Sequence, residues 1–182
     1  MSSFTFLIDI LFNTYFMIVV LRVWLQIARA DYYNPFSQFV VKATDPLVRP
    51  LRRIIPGLFG IDMAGIVLAL IVGFAKMSVL MLMSNGIHPI PLLIFGLLFA
   101  IKKTGLLLFW ILLIRAIMSW ISQGRHPVEQ VMAQISEPIL HPIRRRMPDL
   151  GGIDLSLMIV SMGLIFINML MGDLLGGIWI NL

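Results

Sequence analysis

Residues 45–62 read DPLVRPLRRIIPGLFGID, and residues 137–154 read EPILHPIRRRMPDLGGID. The two stretches align at a constant offset, which extends back to residues 34 and 126. The positions that are identical at this offset include Pro35/Pro127, Gln38/Gln130, Pro46/Pro138, Pro50/Pro142, Arg52/Arg144, Arg53/Arg145, Pro56/Pro148, Gly60/Gly152, Ile61/Ile153 and Asp62/Asp154. Chance does not produce this agreement, so the chain contains an internal repeat.

Four apolar stretches flank the two repeated segments. They cover residues 4–28, 61–83, 92–121 and 153–172, and each exceeds or approaches the ~20 residues that an α-helix needs to cross a bilayer. Of the 182 residues, 59% are hydrophobic and 13% are charged, well below the roughly one-quarter charged residues of soluble domains. The sequence therefore predicts an all-α membrane protein with four transmembrane helices.

Each repeat combines a span, an amphipathic connection and a second span. Arg22 and Arg115 extend the relation into the first span of each unit. Two spans return the chain to the side on which it started, so we predict two parallel repeats, residues 1–86 and 87–182. Residues 90–103 either belong to the third span or form a separate interfacial piece, because Gly86 and Pro91 provide breaks nearby.

The basic residues predict the orientation. Arginine and lysine concentrate in the two connections, which the positive-inside rule places in the cytoplasm with both termini outside. The first stretch has Asp9 inside it and its arginines downstream, the wrong order for a cleavable signal peptide. We expect it to remain in the mature protein.

Each connection, residues 34–55 and 126–147, is expected to form two short helices bent at prolines. Asn34 and His126 precede a proline and are plausible N-caps of the first helices. Asp45-Pro46 and Glu137-Pro138 are expected to begin the second helices. Pro50 and Pro142 are expected to kink them.

Arginines oppose an apolar stripe in both second helices. They are Arg49, Arg52 and Arg53 in the first connection, and Arg144 and Arg145 in the second. Such a helix is suited to lie in the headgroup layer and to bind anionic phospholipids. Alternatively, the apolar stripes pack against the other repeat and the arginines only set the topology. Nucleic acid is not expected as a partner, because exposed aromatic residues are not interleaved with the arginines.

Ionisable residues also lie inside the apolar stretches, where they are candidates for functional sites. They are Asp9, Arg22, Lys76, Lys102, Lys103 and Arg115. The two arginines are near enough to a helix end for their side chains to reach the interface. Asp9 and Lys102 occupy equivalent repeat positions, which predicts a structural ion pair between them. The alternative is a pathway for an ion or proton.

Asp62 and Asp154 directly precede the second span of each repeat. There they are expected to cap the helix N-terminus, or else to pair with Arg22, Arg115 or the connection arginines. The chain has no cysteine and three histidines, and no catalytic motif is recognisable. We therefore expect no enzymatic activity, no metal site and no cofactor.

The repeated arrangement, from Asn34-Pro35-Phe36 through Asp45-Pro46 and Arg52-Arg53 to Gly60-Ile61-Asp62, resembles the YggT family of small bacterial membrane proteins. The second copy and nearly the whole chain share the resemblance, which extends to YlmG-like proteins. It implies a bacterial inner-membrane location and a loose link to osmotic stress and ion homeostasis. It carries over no catalytic residues.

Two functions are consistent with these features. The first is a scaffold or adaptor that binds anionic lipids and an unidentified membrane or cytoplasmic protein, possible homo-oligomers included. The second is a small transport or channel component for cation homeostasis or osmotic balance. Transport needs a polar route across the bilayer, and the spans contain few polar residues, so the sequence favours the scaffold.

Overall fold

The computed structural model describes residues 3–58, 60–84, 86–121, 126–147 and 154–182. Within these ranges the chain forms seven helices: α1 (Ser3–Ile27), α2 (Pro35–Arg52), α3 (Met63–Ser84), α4 (Pro89–Ile121), α5 (Pro127–Arg144), α6 (Leu155–Leu175) and α7 (Gly177–Ile180). The helices α1–α3 form the first repeat, and α4–α6 form the second in the same order.

Four of these helices are long and apolar enough to cross a membrane, as the sequence predicts. They are α1, α3, α4 and α6, with mean hydropathies of 2.0 to 2.4. Helix α4 continues through residues 90–103 without a break. This segment therefore belongs to the third span and does not form a separate interfacial piece.

The predicted N-caps of the amphipathic helices are confirmed. The Asn34 side chain accepts a hydrogen bond from the Phe36 amide at 3.0 Å, and His126 Nδ1 accepts one from the Val128 amide at 3.2 Å. The proline that follows each cap starts its helix. It needs no hydrogen bond at this position, because the first amides of a helix have no intrahelical partner.

The predicted division of each connection into two helices is wrong. Helices α2 and α5 are each continuous over 18 residues, with two prolines inside. Pro46 and Pro50 leave the carbonyls of Lys42 and Pro46 without a helical amide partner. All three residues are exposed, so water hydrates those carbonyls and the helix continues.

Helix α1 lies at the centre of the bundle and contacts α2, α3, α4 and α5. Helices α3 and α4 cross closely at small residues. A Cβ atom on Gly96 would lie 2.2 Å from the Phe74 ring, and one on Gly73 would lie 3.2 Å from the Phe99 ring. Glycine is therefore required at Gly96 for this crossing.

The apolar stripes of α2 and α5 face the protein. Val40 and Val48 of α2 are fully buried, as are Val131, Ile135 and Leu140 of α5. Val40, Val131 and Ile135 pack in one cluster with α1 and α4. The stripes thus follow the alternative in which they pack between the repeats, although part of the α2 stripe remains exposed.

Two hydrogen bonds join the repeats directly. Asn34 Nδ2 donates to the Pro127 carbonyl at 2.8 Å, and the Asp31 amide donates to Gln134 Oε1 at 3.0 Å. The cap of α2 is thereby attached to the first turn of α5. The amphipathic helices consequently form a paired layer at one end of the bundle, which we call the α2–α5 layer.

Helix α7 was not predicted. It follows Gly176, whose φ of +55° suits glycine, and it places Trp179 in a buried position. Some predictions concern residues outside the described ranges: the repeat identities at Pro148, Gly152 and Ile153.

The predicted orientation can be tested with single cysteines in this cysteine-free chain. Cysteines at the exposed Ser3 and Asn181 should react with an impermeant thiol reagent on intact cells, whereas cysteines at Lys42 and Gln130 should react only after lysis. Ser37 is unsuitable because its side chain is buried. Labelling of Lys42→Cys or Gln130→Cys in intact cells would contradict the orientation.

Candidate functional site

A buried arginine connects the first span to α2. Arg22 Nη1 donates to Thr44 Oγ1 at 2.7 Å and to the Val41 carbonyl at 3.2 Å, and it lies 2.8 Å from Asp45 Oδ1. Its side chain is 5% exposed. Three acceptors from α2 therefore surround one nitrogen of this buried guanidinium.

The same group of residues includes the carboxylate at the start of α3. Both carboxylate oxygens of Asp62 lie 3.2 Å from Arg52 Nε, and Oδ2 also accepts from Arg52 Nη2. Arg22 Nε lies 3.8 Å from Asp62. Asp62 is 3% exposed, so two arginines neutralise a buried carboxylate where α1, α2 and α3 meet.

The second repeat contains the equivalent arrangement. Arg115 donates to Ser136 Oγ and lies 3.6 Å from Glu137 Oε2. Arg144 contacts Glu137 at 3.0 Å and Asp154 at 2.5 Å. We call these two groups the arginine networks.

The arginine networks match position by position. The matched residues are Arg22/Arg115, Thr44/Ser136, Asp45/Glu137, Arg52/Arg144 and Asp62/Asp154. Even the hydroxyls behave alike: Thr44 donates to the Val40 carbonyl and Ser136 to the Met132 carbonyl, both at 2.7 Å. The networks are thus a duplicated structural element.

The two networks differ at the residue four positions after the acidic residue of each amphipathic helix. Arg49 lies 2.7 Å from Asp45, whereas its counterpart His141 lies 3.6 Å from Glu137. The second network is also more open, because Glu137 is 42% exposed and Asp45 is 18% exposed. The first network therefore has the stronger and more shielded ion pairs.

The pKa shifts outside the spans follow from these contacts. Burial raises the pKa of Asp45, but hydrogen bonding and attraction from Arg22, with a further contribution from Arg49, lower it overall. Burial likewise raises the pKa of Asp154, but hydrogen bonds from Ser156 and Arg144 outweigh this effect. The hydrogen bond to Asp62 raises the pKa of Arg52. Asp45, Asp154 and Arg52 are accordingly ionised at neutral pH.

The two expectations for Asp62 and Asp154 hold to different degrees. Asp154 caps α6 by accepting from the Ser156 amide at 3.1 Å, and it also pairs with Arg144. The Asp62 carboxylate instead pairs with Arg52 and Arg22. Sequence reasoning missed Thr44 and Ser136, because comparing identical residues alone passed over a pair that shares only a hydroxyl.

The five arginines predicted to bind lipid divide into two groups. Arg52 and Arg144 are used inside the networks. Arg53 and Arg145 are exposed, and in the described part of the chain neither has a carboxylate partner within 4.0 Å. Arg49 pairs with Asp45 but is 76% exposed. The outward-facing arginines are therefore Arg49, Arg53 and Arg145.

The predicted pair between Asp9 and Lys102 is wrong. Asp9 pairs with Lys76 at 2.8 Å, and Lys76 also donates to Asn13 at 3.0 Å. Helix α1 packs more extensively on α3 than on α4, which brings the α3 lysine to Asp9. Lys102 donates instead to the Trp179 carbonyl at 2.5 Å.

The described residues contain no cluster of three or more His, Asp or Glu side chains that could hold a metal ion. A cavity of about 330 Å³ adjoins the first network and is lined by Gln26, Arg52, Gly60 and Asp62, among others. Arg52, the arginine that lines this cavity, is paired with Asp62. The geometry of this region is that of a structural ion pair at the junction of three helices.

These features define the class of the protein: an all-α, multi-pass membrane protein with four candidate spanning helices. The CCB3/YggT family model matches residues 1–83 and 94–175, and the chain belongs to this family. The two matched segments correspond closely to the two repeats.

Relatives support this assignment over the full length. A Vibrio alginolyticus protein, "Uncharacterized protein in proC 3'region", is 54% identical over 185 residues, covering all of both chains. "Uncharacterized protein YggT" of Escherichia coli (strain K12) is 46% identical over 191 residues, again covering both chains. Pseudomonas aeruginosa "Uncharacterized protein PA0392" is 43% identical over 91% of this chain and 86% of its own. No solved structure matches.

The structural role of Arg52 can be separated from that of its neighbour. Arg52→Gln leaves the buried Asp62 with one distant partner and should lower the free energy of unfolding by about 1–3 kcal/mol, below the range for fully buried pairs because Arg52 is partly exposed. Arg53→Gln is the matched control and should change it by less than about 0.5 kcal/mol. Thermal unfolding in detergent measures both, and equal losses would contradict this role.

A double-mutant cycle tests the pair between Asp9 and Lys76. Asp9→Asn and Lys76→Gln should each cost about 1–3 kcal/mol, because each leaves a charge unpaired in low dielectric, and the double variant should recover part of the loss. The cycle between Asp9 and Lys102 is the control and should be closer to additive. Additivity in the first cycle would show that the pair does not form.

Proposed function

We propose that this protein is a non-enzymatic scaffold of the bacterial inner membrane. It binds anionic phospholipid headgroups, and through them or beside them a membrane or cytoplasmic protein, on the cytoplasmic face of the α2–α5 layer. The observation that carries the proposal is the division of the arginines: Arg22, Arg52, Arg115 and Arg144 fix the layer to the spans, while Arg49, Arg53 and Arg145 face outward.

The α2–α5 layer has the rigidity that a scaffold requires. Its apolar residues are buried against α1 and α4, each helix is attached to its own spans by an arginine network, and Asn34 attaches one helix to the other. A binding surface held in this way loses little conformational freedom when a ligand binds. This supports docking over induced folding of a mobile segment.

Exposed apolar side chains accompany the outward-facing arginines. Leu47, Ile54 and Phe39 are 48%, 80% and 60% exposed. Apolar groups next to guanidinium groups are typical of segments at the boundary between headgroups and acyl chains. The layer thus combines an inward apolar side with an amphipathic outer rim.

The placement of the intramembrane charges favours a scaffold over transport. The arginine networks lie at one end of the bundle, whereas Asp9 and Lys76 lie about 9 Å from the start of α1. Between these levels Phe16, Val19 and Leu68 belong to a buried apolar cluster. Because an ion crossing this layer would lose its hydration without compensating ligands, the arrangement supports a structural role for the charges.

The lateral surface of the bundle is consistent with a protein partner or a second copy of the chain. Ser156 is the one buried residue of α6 in the described part of the chain, while its repeat counterpart α3 packs between α1 and α4. Homo-oligomers and a separate membrane partner are both compatible with this free side. The identity of the partner stays open within the proposal.

Lipid retention tests the proposal. A triple variant with Arg49→Gln, Arg53→Gln and Arg145→Gln should fold and insert, yet co-purify with less anionic lipid than the parent. At ~1 kcal/mol per basic residue near an anionic surface, three substitutions correspond to at most about 3 kcal/mol before screening. Quantitative lipid analysis at several salt concentrations measures the effect, which should shrink as salt rises.

The matched control keeps the charges. The corresponding triple lysine variant should retain anionic lipid at nearly the level of the parent, since the electrostatic attraction persists without the guanidinium geometry. If the glutamine variant retains as much anionic lipid as the parent at low salt, the outward-facing arginines do not bind lipid. They would then serve only as topology signals.

A further inference from the structure

The end of the bundle opposite the α2–α5 layer contains three lysines and, among the described side chains, two carboxylates, Asp9 and the exposed Asp173 near the end of α6. The chain has four lysines, Lys42, Lys76, Lys102 and Lys103, and all but Lys42 lie inside the spans. We call Lys76, Lys102 and Lys103 the lysine cluster. Every other basic side chain apart from histidine is an arginine, so this cluster is chemically distinct from the arginine networks.

The lysine cluster is organised around two aromatic residues. The ammonium groups of Lys76 and Lys103 lie 4.5 and 5.7 Å from the centroid of the same Phe99 ring. Lys102 lies 5.6 Å from the Trp179 ring, and it donates to the carbonyls of Trp179 at 2.5 Å and Ile180 at 3.4 Å. These contacts hold Lys102 at the C-terminal end of α7, where a cation is favoured.

The described residues do not neutralise this cluster. Asp9 pairs with Lys76, but neither Lys102 nor Lys103 has a carboxylate within 4.0 Å in the described ranges. Carbonyl oxygens and aromatic rings solvate an ammonium group without cancelling its charge. An uncompensated positive charge in a region of low dielectric favours the binding of an anion.

The depth and surroundings of the cluster indicate which anion. Lys103 shares the Phe99 ring with Lys76, which pairs with Asp9, so the cluster lies at the level of Asp9, six residues or about 9 Å inside the start of α1. Lysine stems reach that distance to the interface, and Trp179 is of the residue type that concentrates there. Ile180, whose carbonyl accepts from Lys102, is 69% exposed and provides an apolar surface for an acyl chain.

We propose that Lys102 and Lys103 bind the phosphodiester of an anionic phospholipid in the leaflet at the end of the bundle where α1 begins. Lys76 remains paired with Asp9 and adds to the positive electrostatic potential at this site. The site is independent of the scaffold function, because the outward-facing arginines lie at the other end of the spans. The lipid would also neutralise the excess charge.

Native mass spectrometry of protein extracted from nanodiscs tests the site. With phosphatidylglycerol in a phosphatidylcholine background, the parent and Lys42→Met should retain phosphatidylglycerol, whereas Lys102→Met and Lys103→Met should each bind it about fivefold more weakly. Lys103→Arg keeps the charge and should bind like the parent. Equal retention by Lys103→Met and the parent, or an equal loss in Lys42→Met, would overturn the proposal.

A stability measurement keeps the test decisive if Lys102→Met folds poorly. Lys103→Met removes a charge that has no carboxylate partner in the described protein, so its melting temperature in phosphatidylcholine should not fall below that of the parent. Added phosphatidylglycerol should raise the melting temperature of the parent and raise that of Lys103→Met less. An equal rise in both would overturn the site.

Two further comparisons identify the source of the anion. Millimolar inorganic phosphate should not displace the bound lipid, and displacement would show a site for free anions instead of a lipid site. The triple glutamine variant of the outward-facing arginines should still bind phosphatidylglycerol at the lysine cluster. Loss of binding in that variant would assign the retained lipid to the α2–α5 layer and overturn the second site.

Discussion

The burial of Arg22 is the constraint on which the rest of the structure depends. A guanidinium group removed from water needs acceptors for its donors and a carboxylate for its charge. Thr44, Asp45 and the Val41 carbonyl provide these from α2, and Asp62 provides a second carboxylate at the start of α3. The position of α2 is therefore determined by the electrostatic requirement of one residue in α1. Once α2 is fixed, Val40 and Val48 of its apolar stripe face the bundle.

Duplication of this element gives the protein a pseudo-symmetric framework with unequal halves. The first network is shielded and contains Arg49, while the second is more open and has His141 at the matched position. Helix α3 is enclosed between α1 and α4, but its counterpart α6 has a largely free surface. Both repeats thus contribute to the core, and α6 leaves the second repeat with more exposed lateral surface. The two repeats therefore have different structural roles.

The sequence predicted the elements better than their contacts. Spans, repeat and N-caps depend on local composition and spacing, so Asn34 and His126 were assigned correctly. The pairing of Asp9 depends on which helices pack together, and repeat equivalence suggested α4 where packing selected α3. Helix continuity through Pro46 depended on exposure of the freed carbonyls, which a proline count does not reveal. Thr44 and Ser136 share a hydroxyl but are not identical, so they are recognised as a repeated pair only when chemically similar residues are compared as well.

The hydrogen bond from the Asn34 side chain to the Pro127 carbonyl has a mechanical consequence. The side-chain carboxamide of Asn34 caps α2 with its oxygen and donates from its nitrogen to the carbonyl of Pro127, the first residue of α5. A change in the tilt of one amphipathic helix therefore exerts a torque on the other. Each helix is also linked through its arginine to a spanning helix that bears lateral pressure from the bilayer. The α2–α5 layer therefore couples the two repeats, and a displacement of either amphipathic helix is expected to be passed to the other through these contacts.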